Sequence, residues 1–130
     1  MKQKAVPTGG CALHPRFRIL SGAAIAFGPG KADLLEALHT TGSITKAAGQ
    51  LGMSYMRAWT LIKTMNRCFR EPLVLAIRGG TRGGGGAGLT ETGLQVLKLY
   101  RRMEQNSIRA AQPDWKKFQA LLKKESGRTK

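Results

Sequence analysis

The chain has 130 residues, with 22 Lys+Arg against 7 Asp+Glu, a formal charge of +15 and a pI near 10.8. That length holds one domain with tails rather than two, and 42% hydrophobic residues suffice for a core, which excludes a chain disordered throughout. The most apolar stretch, Leu20 to Phe27, falls far short of the ~20 residues that span a bilayer, so the charge points to a polyanion, either nucleic acid or an anionic membrane surface.

Met1 to Pro15 lacks any apolar period and reads as a flexible basic tail, interrupted by Pro7, Gly9, Gly10 and Pro15. Arg16 to Phe27 shows the short alternation of a strand, and Gly28-Pro29-Gly30 reads as a turn. Leu34, Leu35 and Leu38 share a helix face, which predicts a helix over Lys31 to Thr40 ending at Thr41-Gly42. Ser43 is a good N-cap for Ile44 to Leu51, which Gly52 stops. Ser54 caps a third helix from Tyr55 to about Phe69, with Ala58, Trp59, Ile62 and Met65 inward and Pro72 fixing the stop.

Leu73 to Ile77 is a short apolar run, followed by the glycine-rich tract from Arg78 to Gly88 and then Leu89, the pattern of a two-stranded hairpin with a long tip. Thr90 caps a fourth helix from Glu91, with Leu94, Leu97, Tyr100, Met103 and Ile108 as its stripe. Gln112-Pro113 is expected to break it, and Pro113 suits the first position of a last short helix carrying Trp115, Phe118 and Leu122. The expected organisation is therefore a tail over 1–15, a mainly helical domain with a hairpin over 16–112 and a short basic helical tail over 113–130.

Charge is uneven along the chain. Residues 19–53 carry two basic and two acidic side chains, whereas Ser54 to Arg102 carries nine basic and two acidic. Cys11 and Cys68 lie far apart, and His14 and His39 are the only histidines, so neither a zinc set nor a disulfide framework is spelled out. No cofactor or metal is expected, and a reducing, cytoplasmic compartment is the default. No catalytic constellation of acids, histidines or nucleophiles is visible, and the chain is not expected to be an enzyme.

The sharpest local signal is Ser43 to Leu61. A helix-turn-helix needs a small residue where two helices cross, a glycine between them and apolar residues pinning the second helix. Ala48 and Gly52 meet the first two needs, and Leu51, Met53, Ala58 and Leu61 or Ile62 the third; two ordinary helices joined by glycine remain the plain alternative. In the helix-turn-helix reading the third helix faces DNA. Arg57 then suits a guanine edge, and Ser54, Tyr55, Thr60 and Lys63, with Ser43 and Thr45 of the second helix, suit phosphates or base edges. Each is otherwise a solvated surface residue.

The glycine tract is no P-loop, because no Lys-Ser/Thr follows Gly83 to Gly88. It is too short and too enclosed for a repeated RNA-binding Arg-Gly segment. Arg78 and Arg82, with Gly79, Gly80, Gly83 and Gly84 allowing close backbone approach, fit a basic hairpin tip on phosphates, or else a solvent loop.

Thr41-Gly-Ser-Ile-Thr-Lys-Ala-Ala48, then Leu51-Gly-Met-Ser-Tyr-Met-Arg-Ala-Trp59, Pro72-Leu-Val74, and Arg78 through Gly93 together resemble the N-terminal domain of the ModE-type molybdate-responsive transcriptional regulators. The likeness runs from about Arg18 to Arg102. LysR-type regulators share the looser Gly-Ser-x-x-x-Ala-Ala pattern without this glycine wing. The resemblance implies a mainly α fold with a small antiparallel β wing, a winged helix-turn-helix binding double-stranded operator DNA as a homodimer. It places DNA contacts on Ser54, Tyr55 and Arg57 and on Arg78, Arg82 and the glycines between them. It implies dimerisation through the helix after the wing, where Leu94, Leu97, Tyr100 and Met103 lie, although that stripe equally suits packing on its own domain.

Full-length members carry molybdate-binding modules after this domain. With the sequence ending at Lys130, the expectation is a stand-alone regulator of molybdenum transport or molybdoenzyme genes that binds no molybdate itself. The alternative is a protein-interaction module that pairs with a full-length regulator or an acidic partner without specific DNA reading. Peripheral membrane binding through Trp115 to Lys124 is a minor third reading.

Overall fold

Alternating apolar residues from Ile19 to Phe27 form not one strand but a hairpin. In the computed structural model, which describes residues 10–77 and 86–123, β1 (Ile19–Ser21) pairs antiparallel with β2 (Ala24–Phe27). Gly22, at φ +64°, turns the chain between them. The register pairs Ser21 with Ala24 and Leu20 with Ile25, then shifts at a bulge so that Ile19 meets Phe27. Phe27 points into the core, and Ala26 beside it is also buried.

The proline read as part of a turn opens the next element instead. Helix α1 (Pro29–Thr41) begins two residues before the expected Lys31, because proline at the first helical position has no N–H to leave unpaired and its φ already fits. Leu34, Leu35 and Leu38 are fully buried. Gly42, at φ +71°, ends the helix by donating its N–H to the Leu38 carbonyl at 2.8 Å.

Helix α2 (Ile44–Leu51) follows at once, with the Ser43 hydroxyl accepting from the Lys46 N–H at 3.1 Å. Gly52, at φ +68°, then swings the chain into α3 (Tyr55–Cys68), where the Ser54 hydroxyl accepts from the Arg57 N–H at 3.1 Å. Ala47, Ala48 and Ala58 are buried, small enough to let α2 pack closely on its neighbours. Ile62 and Met65 complete the inner face of α3. Trp59, expected beside them, is instead 40% exposed. At 3.6 residues per turn the buried stripe of Ala58, Ile62 and Met65 leaves Trp59 on the helix shoulder, and apolarity alone had assigned it inward.

Strands β3 (Val74–Ile77) and β4 (Gly86–Leu89) form the second hairpin, pairing Val74 with Leu89 and Ile77 with Gly86. Asn66 of α3 holds its base: its Oδ1 accepts from the N–H groups of Leu73 and Val74 at 2.8 and 3.1 Å, and its Nδ2 donates to the Val74 carbonyl at 3.0 Å. The Ala87 N–H donates to the Gly42 carbonyl at 3.0 Å, tying β4 to the turn that precedes α2.

Thr90 caps α4 (Glu91–Leu121), accepting from the Gly93 N–H at 2.9 Å, while its hydroxyl donates to the Pro72 carbonyl at 2.8 Å. The break expected at Pro113 is absent, and the helix runs through it to Leu121. Proline deprives only the Arg109 carbonyl of its helical partner, and both residues are exposed, so the lost bond falls on the solvent side of the helix rather than in the core.

Contacts group residues 16–100 into one compact unit and the segments before Arg16 and after Tyr100 into another. The first has a single core in which Phe27 stands edge-on to Phe69 and Tyr100 at 6.1 and 5.1 Å. Leu97 and Tyr100, expected at a dimer interface, belong to this core, whereas Leu94 and Met103 remain exposed. The reason is the helical period: Gly93, Leu97 and Tyr100 form the buried line of α4, and Leu94 lies off it. In the second unit Trp115 and Phe118 stack at 6.1 Å, and Phe118 is largely exposed. No helix among the described residues is long and apolar enough to cross a membrane.

Candidate nucleic-acid interface

The segment from Ile44 to Arg70, covering α2, the turn and α3, contains five basic residues and no acid. Burial of Ala58, Ile62 and Met65 turns the opposite side of α3 to solvent, where Met56, Thr60, Lys63 and Arg67 lie. Tyr55 and Trp59 form one shoulder of this face and Arg57 the other, all exposed. Among the described residues no carboxylate pairs with Arg57, Lys63 or Arg67. An acid-free, cationic helix face of this kind attracts a polyanion and leaves its donors unspent.

Two side chains have local partners. The Lys63 Nζ sits 5.8 Å from the centre of the Trp59 ring, a cation–π contact that steadies the ammonium on the outer face. The Thr64 hydroxyl donates back to the Thr60 carbonyl at 3.0 Å, while Thr60 itself is exposed.

Among the residues expected to meet DNA, Ser54, Tyr55, Arg57, Thr60 and Lys63 lie on one helix and are all exposed. Ser43 and Thr45 lie at the start of α2, Ser43 half-buried in its capping role and Thr45 exposed. The bond from Ala87 to Gly42 places β4 directly beside that start. Arg78, Gly79, Gly80, Arg82, Gly83 and Gly84 lie outside the described residues. Three residues of the outer face were missed from sequence: Met56 and Trp59 because they are apolar, and Arg67 because it falls a turn beyond Lys63. The stripe Tyr55, Trp59, Lys63, Arg67 at four-residue spacing is the signal that would have found the last two.

Comparison with known proteins finds helix-turn-helix regulators. Residues 31–94 match the model of the bacterial regulatory helix-turn-helix proteins of the lysR family. The chain is 46% identical over 71 residues, 55% of its length, to the molybdenum transport protein ModE of Azotobacter vinelandii, covering 26% of that protein. It is 37% identical over 103 residues, 79% of its length, to the molybdenum-pterin-binding protein MopB of Rhodobacter capsulatus, covering 37% of it. It is 39% identical over 77 residues, 59% of its length, to the DNA-binding transcriptional dual regulator ModE of Escherichia coli K12, covering 29% of it. The chain thus spans between a quarter and two-fifths of the length of these relatives.

Proposed function

The chain carries a helix-turn-helix DNA-binding domain of the lysR family over residues 31–94, and on that premise we propose that it is a sequence-specific transcriptional regulator acting on molybdenum transport or molybdoenzyme genes, in the cytoplasm and as a homodimer. The observation that carries this reading is the exposed, acid-free face of α3, on which Arg57, Thr60, Lys63 and Arg67 lie without carboxylate partners among the described residues. The similarity to ModE and MopB supplies the link to molybdenum. In this reading α3 enters the major groove, Arg57 forks onto a base edge, and Lys63 and Arg67 hold phosphates. Ser54 and Tyr55 meet the backbone at the start of the helix, and Arg78 and Arg82 supply a second contact from the hairpin.

Selection of bound duplexes from a random pool, with and without molybdate, tests this directly. The expected product is a palindromic site whose half-site spacing reports the dimer. Equal, weak binding to selected and random duplexes would reject sequence-specific regulation. A change of affinity with molybdate would assign sensing to this chain itself.

A second reading, a module that pairs with a longer regulator, is favoured by the exposed Leu94 and Leu99 of α4. A stable complex with such a regulator on sizing, together with indifference to DNA sequence, distinguishes it.

A further inference from the structure

The most exposed large apolar residue of the helix-turn-helix is Met56, at 63%. It occupies the second position of α3, in the turn whose side chains reach base edges when such a helix lies in the major groove. Its neighbour on the next turn is Thr60; Arg57 adjoins it in sequence on one shoulder, and Lys63 lies two turns further along the same face. Trp59 is not an equivalent apolar surface, because the Lys63 ammonium lies over its ring. Met56 is therefore an exposed thioether chain on a cationic, acid-free helix face, with no hydrogen-bond donor to offer a base.

We propose that Met56 reads thymine through its 5-methyl group, which makes one or two A·T pairs of each half-site recognised by apolar contact rather than by hydrogen bonds. In the major groove each base pair presents donors and acceptors, and the thymine methyl is the one apolar feature at these edges. The charge around Met56 commits the face to a polyanion and argues against an apolar protein partner, whose approach would leave Arg57 and Lys63 desolvated and unpaired. A flexible, unbranched side chain reaches such a methyl without fixing the helix in one strained geometry. This inference rests on the DNA-binding reading above.

The test replaces thymine by deoxyuridine, one position at a time, in the duplex selected from the random pool, and measures affinity for the full chain, for Met56→Ala and for Met56→Leu. Burying one methyl group is worth about three- to fivefold in affinity. The wild-type chain is expected to lose that factor at one or two positions. Met56→Leu should keep the sensitivity, and Met56→Ala should bind thymine and uracil duplexes alike. Met56 is exposed and alanine favours the helix, so loss of fold does not confound the result.

Uracil duplexes bound as tightly as thymine duplexes, or an unchanged uracil penalty in Met56→Ala, would overturn the methyl contact while leaving DNA binding intact. Failure to select any duplex over random DNA would overturn both. A Met56→Ala chain with normal DNA binding but altered self-association would assign the face to a second copy instead.

Discussion

The phenol of Tyr100, on α4, donates a 2.8 Å hydrogen bond to the carbonyl of Phe17, a residue 83 positions earlier in the chain. Tyr100 is 2% exposed, and its ring stands edge-on to Phe27 in the core. The bond joins the first and last parts of the 16–100 unit, so its loss weakens a closure that no local element supplies. Tyr100→Phe keeps the ring and leaves the Phe17 carbonyl short of that donor, at a cost of about 1–2 kcal/mol. Thermal melts followed by circular dichroism should show a Tm lower by several degrees. A variant as stable as the parent would show that the ring alone holds the junction.

Gly93 lies in the first turns of α4, directly against the Leu73 carbonyl. A β-carbon at this position would overlap that oxygen, which already accepts from the Thr90 N–H at 2.9 Å. Neither backbone segment can yield without opening the base of the β3–β4 hairpin. Alanine is favoured over glycine in a helix by about 1 kcal/mol, and the forced overlap, at about 2–3 kcal/mol, outweighs it. Gly49 in α2 is the control, since a β-carbon there meets nothing within 4 Å. Denaturant unfolding should therefore find Gly93→Ala strongly destabilised and Gly49→Ala stabilised by about 0.5–1 kcal/mol. The same sign for both would refute the packing argument.

The elements most legible in the sequence are those whose causes are local. Ser43, Ser54 and Thr90 cap the helices they were expected to cap, and Gly42 and Gly52 stop α1 and α2, because a hydroxyl or a left-handed glycine acts on its own few neighbours. What was not legible depends on partners distant in sequence. The division of Arg16 to Phe27 into two strands needs the bulge at Ile19 that turns Phe27 toward Phe69 and Tyr100. Asn66, which holds the hairpin base by three hydrogen bonds, reads in sequence as an ordinary polar helix residue. Within the candidate site the polar residues of the α3 face from Ser54 to Lys63 were readable from charge and position, whereas Arg67, a turn further on, was not. Met56 and Trp59 were not, because apolarity signals burial until the buried stripe is known.

Duplex binding should weaken steeply with salt, as counterions released by Lys and Arg contacts supply much of the affinity. Arg57 and Lys63 should separate in this assay. Lys63→Ala is expected to weaken selected and random duplexes alike and to reduce the slope of log affinity against log salt by about 0.9, the value for one phosphate contact. Arg57→Ala should lower discrimination, by about 1–3 kcal/mol against the wrong base pair. If Arg57→Ala weakened both duplexes equally, its guanidinium would be a phosphate contact and not a base reader.

Lys31 gives the unit a pH dependence of known sign. Its Nζ donates to the Ile25 carbonyl at 2.7 Å from a half-buried site at the start of α1. Burial lowers its pKa below the ordinary 10.5, an effect that the nearby Cys68, once ionised, opposes. The unfolded chain keeps the ordinary value, so between the two pKa values it binds more protons than the folded chain, and stability rises with pH. The penalty of holding Lys31 charged is full below the folded pKa and is relieved as pH climbs toward 10.5. Lys31→Met removes this titration while keeping the aliphatic stem, and the remaining charges are common to both proteins. Urea unfolding between neutral pH and 10.5 should show the stability difference shifting in favour of the parent as pH rises. Parallel stability curves would mean that Lys31 titrates alike in the folded and unfolded chains.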